Sequence, residues 1–300
     1  MIRFTVEAAG RVDVIVGDKS SLSRAKVKAL FEDGAVKVNG RRVKKGVSVA
    51  AGDTIEVEIP SAVASGELGA VADSSVVLKV LHEDASLVFV EKPAGLNSQP
   101  LAPGEKGTVA NGLIARFPEM AAVADDPREA GLCHRLDKET SGVILAARTR
   151  EAWQAMRAAF SEGGQVEKHY LALVNGPLAD EGEIDVPLAH AGDHVVPSET
   201  EGRPAFSIFK VLKRHGVWSL VDVQLVTGVL HQVRAHLAAI GAPIAGDVLY
   251  GGKALPGLER FFLHASSLDV THPVSQKRVH VECQLPPELS SALAKAGFPT

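Results

Sequence analysis

The chain has 300 residues, 46% hydrophobic and 23% charged, enough for one large domain and a small one and unlike disordered, collagenous or coiled-coil sequence. No apolar run reaches the roughly 18 residues of a membrane helix, and the alternating start of the chain shows no apolar signal segment, so a cytoplasmic protein without membrane attachment is expected. The net charge of −4 conceals an asymmetry: residues 1–60 hold 11 Lys/Arg against 8 Asp/Glu, and the remainder holds 21 against 28.

In chain order, Ser21 and Ser23 are placed to cap a helix that runs through Phe31, with Ala25, Leu30 and Phe31 as apolar contacts and Asp33-Gly34 as its stop. Ala35 to Val38 alternates as a strand, Asn39-Gly40 is a strong hairpin turn signal, and Arg41 to Lys45 returns. Val47 to Ile59, broken by a Gly52-Asp53 turn, reads as further strand. Helix and hairpin together carry Arg24, Lys26, Lys28, Lys37, Arg41, Arg42, Lys44 and Lys45 against only Glu32 and Asp33. Such a cluster is either a solvated basic face or a surface for phosphates. Residues 61–75, small and weakly apolar, read as a linker between a domain at 1–60 and another at 76–300.

From Val76 onward, strand signals fall at Leu87–Val90, Val143–Ala147, His169–Val174, Ala205–Leu212, Trp218–Val226, Ser267–Val270 and Val279–Leu285. Helical spacing marks Thr108–Phe117, Glu151–Phe160 and His231–Ile240. The strands come in runs, which predicts an α+β domain with a mixed, largely antiparallel central sheet. The fingerprints of dinucleotide, P-loop and zinc-protease sites are missing. His231 and His236 lie about 140° apart on a helix, so they do not converge on a metal, and no metal is expected. Cys133 and Cys283 read as small core residues.

Polar chemistry gathers in four islands: Lys92-Pro93-Ala94-Gly95-Leu96 after a strand; HRLDKETSG at 134–142 before another; Lys168-His169-Tyr170, whose outer two residues share one strand face; and Thr227 to His236, running on to Asp247. Taken alone, Asp137 could be a loop carboxylate paired with Arg135 or Lys138. Arg234, three residues after His231 on a helix face, asks for a carboxylate partner.

These islands, in this order across residues 80–285, resemble the RluA-type RNA pseudouridine synthases, with HRLDKETSG the most specific part. In front, SRAKVKALFEDGAVKVNGRRVKKG and GDTIEV resemble the S-four type of RNA-binding module, although VDVIV at 12–16 departs from the helical start found there. The resemblance implies the pseudouridine synthase fold and isomerisation of specific uridines without cofactor. It implies that Asp137 is nucleophile at the anomeric carbon or base at the adjacent sugar carbon, that Arg234 holds Asp137 by a two-pronged bond, and that Tyr170 packs on the uracil. It implies Leu268 lining the base pocket and Arg135 filling the stack that a flipped uridine leaves. The basic residues of the first domain would bind RNA. Val229 and Val270 depart from the family, which commonly has a cation and an aromatic there. RNA is the expected partner, large-subunit ribosomal RNA before transfer RNA, with no DNA and a monomeric protein. The competing readings are a non-catalytic ribosome assembly factor of the same fold and a glycosidase pairing Asp137 with Glu139 or Asp247.

Overall fold

The computed structural model describes residues 2–20, 22, 24–58, 69–102, 104–162 and 165–298. The side chains of Arg24, Ala25 and Lys26, the capping residues Ser21 and Ser23, and most of the stretch read as a linker lie outside the described residues.

The first unit runs β1 (Ile2–Thr5), β2 (Gly10–Arg11), α1 (Val12–Ser20), α2 (Arg24–Glu32), β3 (Val36–Val38), β4 (Arg41–Arg42), β5 (Ser48–Val49) and β6 (Thr54–Val57). Its sheet has the order β1-β6-β3-β4, all antiparallel, and β2 pairs with β5. Asn39 and Gly40 both take positive φ, 49° and 77°, so the hairpin closes in two residues and pairs Val38 with Arg41. VDVIV is the start of α1, contrary to the pattern expected of it. Its four β-branched residues cost about 0.5 kcal/mol each in a helix. Val12 and Val16, one turn apart, are fully buried in the cluster that also holds Val27 and Leu30 of α2. That burial contributes about 1.5–3 kcal/mol for each of the two valines, and so outweighs the propensity. Arg41, Arg42, Lys44 and Lys45 are exposed; Lys28 is exposed too and pairs with Glu32 one turn on at 3.4 Å.

The second unit is anchored earlier than the linker reading placed it. Ala70 N–H donates to Pro127 O, the Asn111 amide donates to Val71 O, and Asp73 N–H donates to Asn111 O. The unit contains β7 (Lys79–Glu83), β8 (Leu87–Lys92), α3 (Val109–Arg116), β9 (Ser141–Ala147), α4 (Arg150–Glu162) and β10 (Val166–Asn175). There follow β11 (Glu181–Asp185), β12 (Leu188–Ala191), β13 (His194–Pro197), β14 (Phe206–His215), β15 (Trp218–Leu225), α5 (Gln232–Ala239), β16 (Leu263–Thr271), β17 (Arg278–Glu282) and α6 (Pro287–Lys295).

Nine strands form one sheet in the order β11-β14-β15-β10-β16-β9-β8-β7, with β17 also on β16. Every pairing is antiparallel except β9 with β16, which makes this the mixed α+β sheet expected from the strand runs. At that parallel crossing Gly142 has φ 129°, and a Cβ there would sit 2.2 Å from Ala265 O. Only glycine lets the two backbones meet, which explains the Ser-Gly that closes the HRLDKETSG island. Strand β9 is buried along its whole length, so the loop before it rests on a rigid support. No described helix is long and apolar enough to cross a membrane.

Candidate active site

Residues 133–140 form the loop that enters β9, and its backbone is held from two sides. From the segment after β8, Gly95 N–H donates to Lys138 O at 2.9 Å, and Ser98 Oγ both donates to Leu136 O (3.0 Å) and accepts from Leu136 N–H (3.1 Å). Lys92 is fully buried, and its amine donates to Leu96 O (2.7 Å), Lys138 O (2.8 Å) and Pro93 O (3.0 Å). Burial pushes this ammonium down to about 7, opposed by the charges of Glu139 and Asp137. From the other side, Arg260 donates to Glu139 O and Ser141 Oγ, both at 2.9 Å. The Lys-Pro-Ala-Gly island is therefore the clamp of the second island. Lys92→Met should leave three carbonyls without their donor and lower unfolding free energy by about 3 kcal/mol, roughly 1 for each. Urea titration checks this, and an unchanged midpoint would show that the carbonyls find other partners.

Beside the loop lies a cavity of about 610 Å³, walled by the loop, α4, β10 and the turn that enters α5. Asp137 faces into it with its side chain 22% exposed. Arg234 Nη1 meets Asp137 Oδ2 at 3.4 Å, a single long contact. The fork expected for Asp137 is made to another carboxylate: Arg234 Nε and Nη2 donate to the two oxygens of Asp247 at 2.7 and 2.9 Å. Asp247 is 1% exposed, so its charge needs full compensation by a neighbour, whereas Asp137 keeps part of its hydration. The guanidinium is further fixed by the rings of Phe261 and Tyr250, 4.2 and 5.0 Å from their centroids.

Tyr170 projects from β10 into the same cavity, as Lys168 does two residues earlier. Burial, with the nearby Asp137 charge, pushes the Tyr170 phenol well above its ordinary value, so it is neutral at physiological pH. Its hydroxyl has no hydrogen-bond partner among the described residues. Lys168 donates to Thr227 O at 3.0 Å, and burial lowers it to about 8. His134 accepts from Leu145 N–H through Nε2 and stacks on Phe160 at 4.7 Å. Burial, aided by Lys168 and Arg157, takes it down to about 3, so it is a neutral ring with its proton on Nδ1. Arg135 stands exposed at the rim and makes no ion pair or hydrogen bond among the described residues, which removes it as a structural partner of Asp137.

Leu268 does not line the cavity. It is buried beside Lys168 on β16, and the apolar wall comes instead from Leu136, Leu225, Leu263 and Phe160. A bulge in β16 at Ser266 shifts the register between His169 and Tyr170, so the residues of β16 facing Tyr170 lie nearer its start than strict alternation suggests. Gln232 holds the turn before α5: its Oε1 accepts from Thr227 Oγ1 (2.8 Å) and Val229 N–H (3.0 Å), and its amide donates to Phe206 O (3.0 Å) and Ser207 Oγ (3.1 Å). His236 points away, with both ring nitrogens engaged by Ser207 Oγ and Val186 O.

A family model described as RNA pseudouridylate synthase matches residues 86–239, which contain the loop, β10 and the whole of α5. The chain belongs to the RNA pseudouridine synthase family. This synthase is 33% identical to the ribosomal large subunit pseudouridine synthase D of Xanthomonas campestris, over 96% of this chain and 89% of that one. It is 36% identical to an uncharacterized RNA pseudouridine synthase of Chloroflexus aurantiacus, over 96% and 90% of the two chains. Among solved structures it resembles human RNA pseudouridylate synthase domain containing 4, with a TM-score of 0.59 and 25% identity over 74% of this chain and 94% of the other. The enzyme is thus an isomerase converting uridine in RNA to pseudouridine, and the reading as a non-catalytic assembly factor falls away.

Some working parts of the synthase site escaped sequence reasoning. Lys92 was visible only as a turn residue, and Asp247 only as a candidate second acid. Arg260 and Tyr250 stand in stretches with no motif, and only their partners reveal them.

Proposed function

We propose that Asp137 is the catalytic carboxylate and that large-subunit ribosomal RNA is the substrate. One observation carries the first part: Asp137 is the single carboxylate among the described residues lining the cavity, in company with Arg135, Arg157, Lys168, Arg203 and Arg234. A domain with net negative charge has concentrated cations around one acid, which suits a phosphate-bearing substrate that must bring its sugar to that acid. It does not suit a glycosidase, which needs a second free carboxylate across the cavity; Asp247 is buried and forked by Arg234.

In the proposed cycle Asp137 acts at the ribose, as nucleophile or base, while the bond from sugar to ring nitrogen breaks. The loosened uracil turns between Tyr170 and the apolar wall and ring carbon five joins the sugar; carbon five then loses its proton to solvent and the ring nitrogen freed from the sugar takes one up, with the neutral Tyr170 hydroxyl as relay, giving up its own proton as it accepts another. The reaction is redox-neutral. A uridine must first leave its stack, and Arg135, free at the rim, is the side chain in position to fill the gap.

The ribosomal assignment is supported by the names of relatives in Xanthomonas campestris, Nitrosomonas europaea and Neisseria meningitidis, and by the exposed basic hairpin of the first unit, taken as an RNA-binding module with Arg24, Lys26 and Lys28 on its helix. Mapping pseudouridines in a strain lacking the protein tests it: loss of sites in large-subunit RNA supports the assignment, and loss confined to transfer RNA overturns it. Replacing Arg41, Arg42, Lys44 and Lys45 by Gln should weaken RNA binding and flatten its salt dependence by roughly 0.9 in log–log slope for each duplex phosphate that the hairpin no longer neutralises. An unchanged slope would remove the hairpin from the interface.

A further inference from the structure

His231 stands immediately before α5 in the left-handed region, with φ 53°, a conformation that a non-glycine residue keeps only where its surroundings impose it. It makes no side-chain cap to the helix, so capping does not account for it. The ring instead bridges two groups. Its Nδ1 lies 3.1 Å from Tyr250 Oη, and its Nε2 lies 3.8 Å from Asp137 Oδ2.

The hydroxyl decides the tautomer. Tyr250 Oη already accepts Val195 N–H at 3.1 Å, and its one proton is free to be donated. If it goes to His231 Nδ1, the ring proton sits on Nε2 and faces the carboxylate. The opposite tautomer would set the Nε2 lone pair against a carboxylate oxygen, which is repulsive. Burial, with Arg234, holds the ring below its ordinary value, against the pull of Asp137, Asp247 and Asp193, so the neutral form with a single proton is the relevant one. Arg234 Nη1 meets the same oxygen, Oδ2, and the Tyr250 ring braces that guanidinium as well. Both neighbours therefore occupy Oδ2.

We propose that His231, set by Tyr250, is a positioning residue that with Arg234 anchors Oδ2 of Asp137, leaving Oδ1 as the oxygen that acts on the ribose. This rests on Asp137 being the catalytic carboxylate. At 3.8 Å the His231 contact is electrostatic, and catalytic contacts of this kind commonly tighten when substrate binds.

Two substitutions separate positioning from a purely backbone role. Asn tolerates the left-handed region better than Gln, but its amide is too short to take the place of Nε2; the Gln amide nitrogen can take it. The measurement is single-turnover release of tritium from carbon five of uridine, with enzyme in excess over RNA from cells lacking the protein and with melting as the fold control. His231→Asn should melt like the parent and bind RNA equally, yet react about tenfold more slowly, whereas His231→Gln recovers much of that loss. Tyr250→Phe, which keeps the ring over Arg234 but removes the donor, should also slow the step, and it serves if a His231 variant fails to fold. Parental rates in His231→Asn, or a faster Asn than Gln variant, would overturn the proposal. An Asp137→Asn control distinguishes the two failures: an inactive control beside a fully active His231→Asn refutes the positioning role alone, while an active control refutes the assignment of Asp137.

Discussion

Asp137→Asn is expected to abolish pseudouridine formation while leaving a folded, RNA-binding protein. Asn has nearly the same shape, and its carbonyl can still accept from Arg234 Nη1, so the loop and its backbone clamp at Lys92, Ser98 and Arg260 have no reason to move. Only the charge is lost, and with it the capacity either to attack the anomeric carbon or to take a proton from the sugar. Loss of an auxiliary acid or base slows a reaction by roughly 10² to 10⁴, but removal of an essential nucleophile or base removes the route itself. A purely structural ion pair at this partly exposed position would be worth about 1 kcal/mol or less and would leave chemistry running. Release of carbon-five label under single-turnover conditions decides between them: near-parental release from a well-folded Asp137→Asn protein would end the catalytic assignment.

The second large effect is expected at Arg234→Lys. An ammonium keeps the charge but cannot give two parallel bonds to Asp247, pack on the rings of Phe261 and Tyr250, and reach Asp137 with a third nitrogen. Because Asp247 is buried, a weakened partner leaves its charge poorly compensated, and stability should fall by about 3 kcal/mol, the scale for damaging a buried pair. Turnover should fall further than stability alone implies, by about 10² or more, because a displacement of about 1 Å near the reacting atoms is costly in rate. Affinity for RNA should change much less. If affinity falls and the single-turnover rate at saturation does not, Arg234 is a phosphate contact and the anchoring of Asp137 lies elsewhere. Asp247→Asn provides the complementary case: it should damage stability by a similar amount, and it reaches Asp137 only through the guanidinium of Arg234.

Most of the elements in the larger unit could be read in advance, for a local reason. A strand such as β8 or β9 shows itself as a short apolar run, and α4 as apolar residues at helical spacing, because side-chain direction repeats with the backbone period. Edge and insert strands did not: β7, β11, β12 and β13 are partly exposed along their length and carry no clean alternation of apolar residues. Helix α1 went against its local pattern because two valines one turn apart found a buried surface on α2.

The site divides along the same line. The sequence alone determined that Asp137 sits in a polar loop before a rigid strand, that Tyr170 and Lys168 share a face, that His231 and Arg234 stand together at a helix start, and that the order of these islands resembles one family. Apart from the order of the islands, which runs along the chain, each of these is a matter of spacing within about ten residues. The tertiary structure decided the partnerships. Arg234 gives its fork to Asp247, 13 residues away, and one long contact to Asp137, 97 residues away. Lys92 clamps a loop 46 residues further on, and Tyr250 joins His231 to the hairpin of β12 and β13. The physical reason is burial: a carboxylate shut off from water must be neutralised by whichever cation the fold brings against it, and a carboxylate that keeps some water remains free for chemistry. Which of the two acids is shut off depends on how the chain closes over it, and that is written in no local pattern.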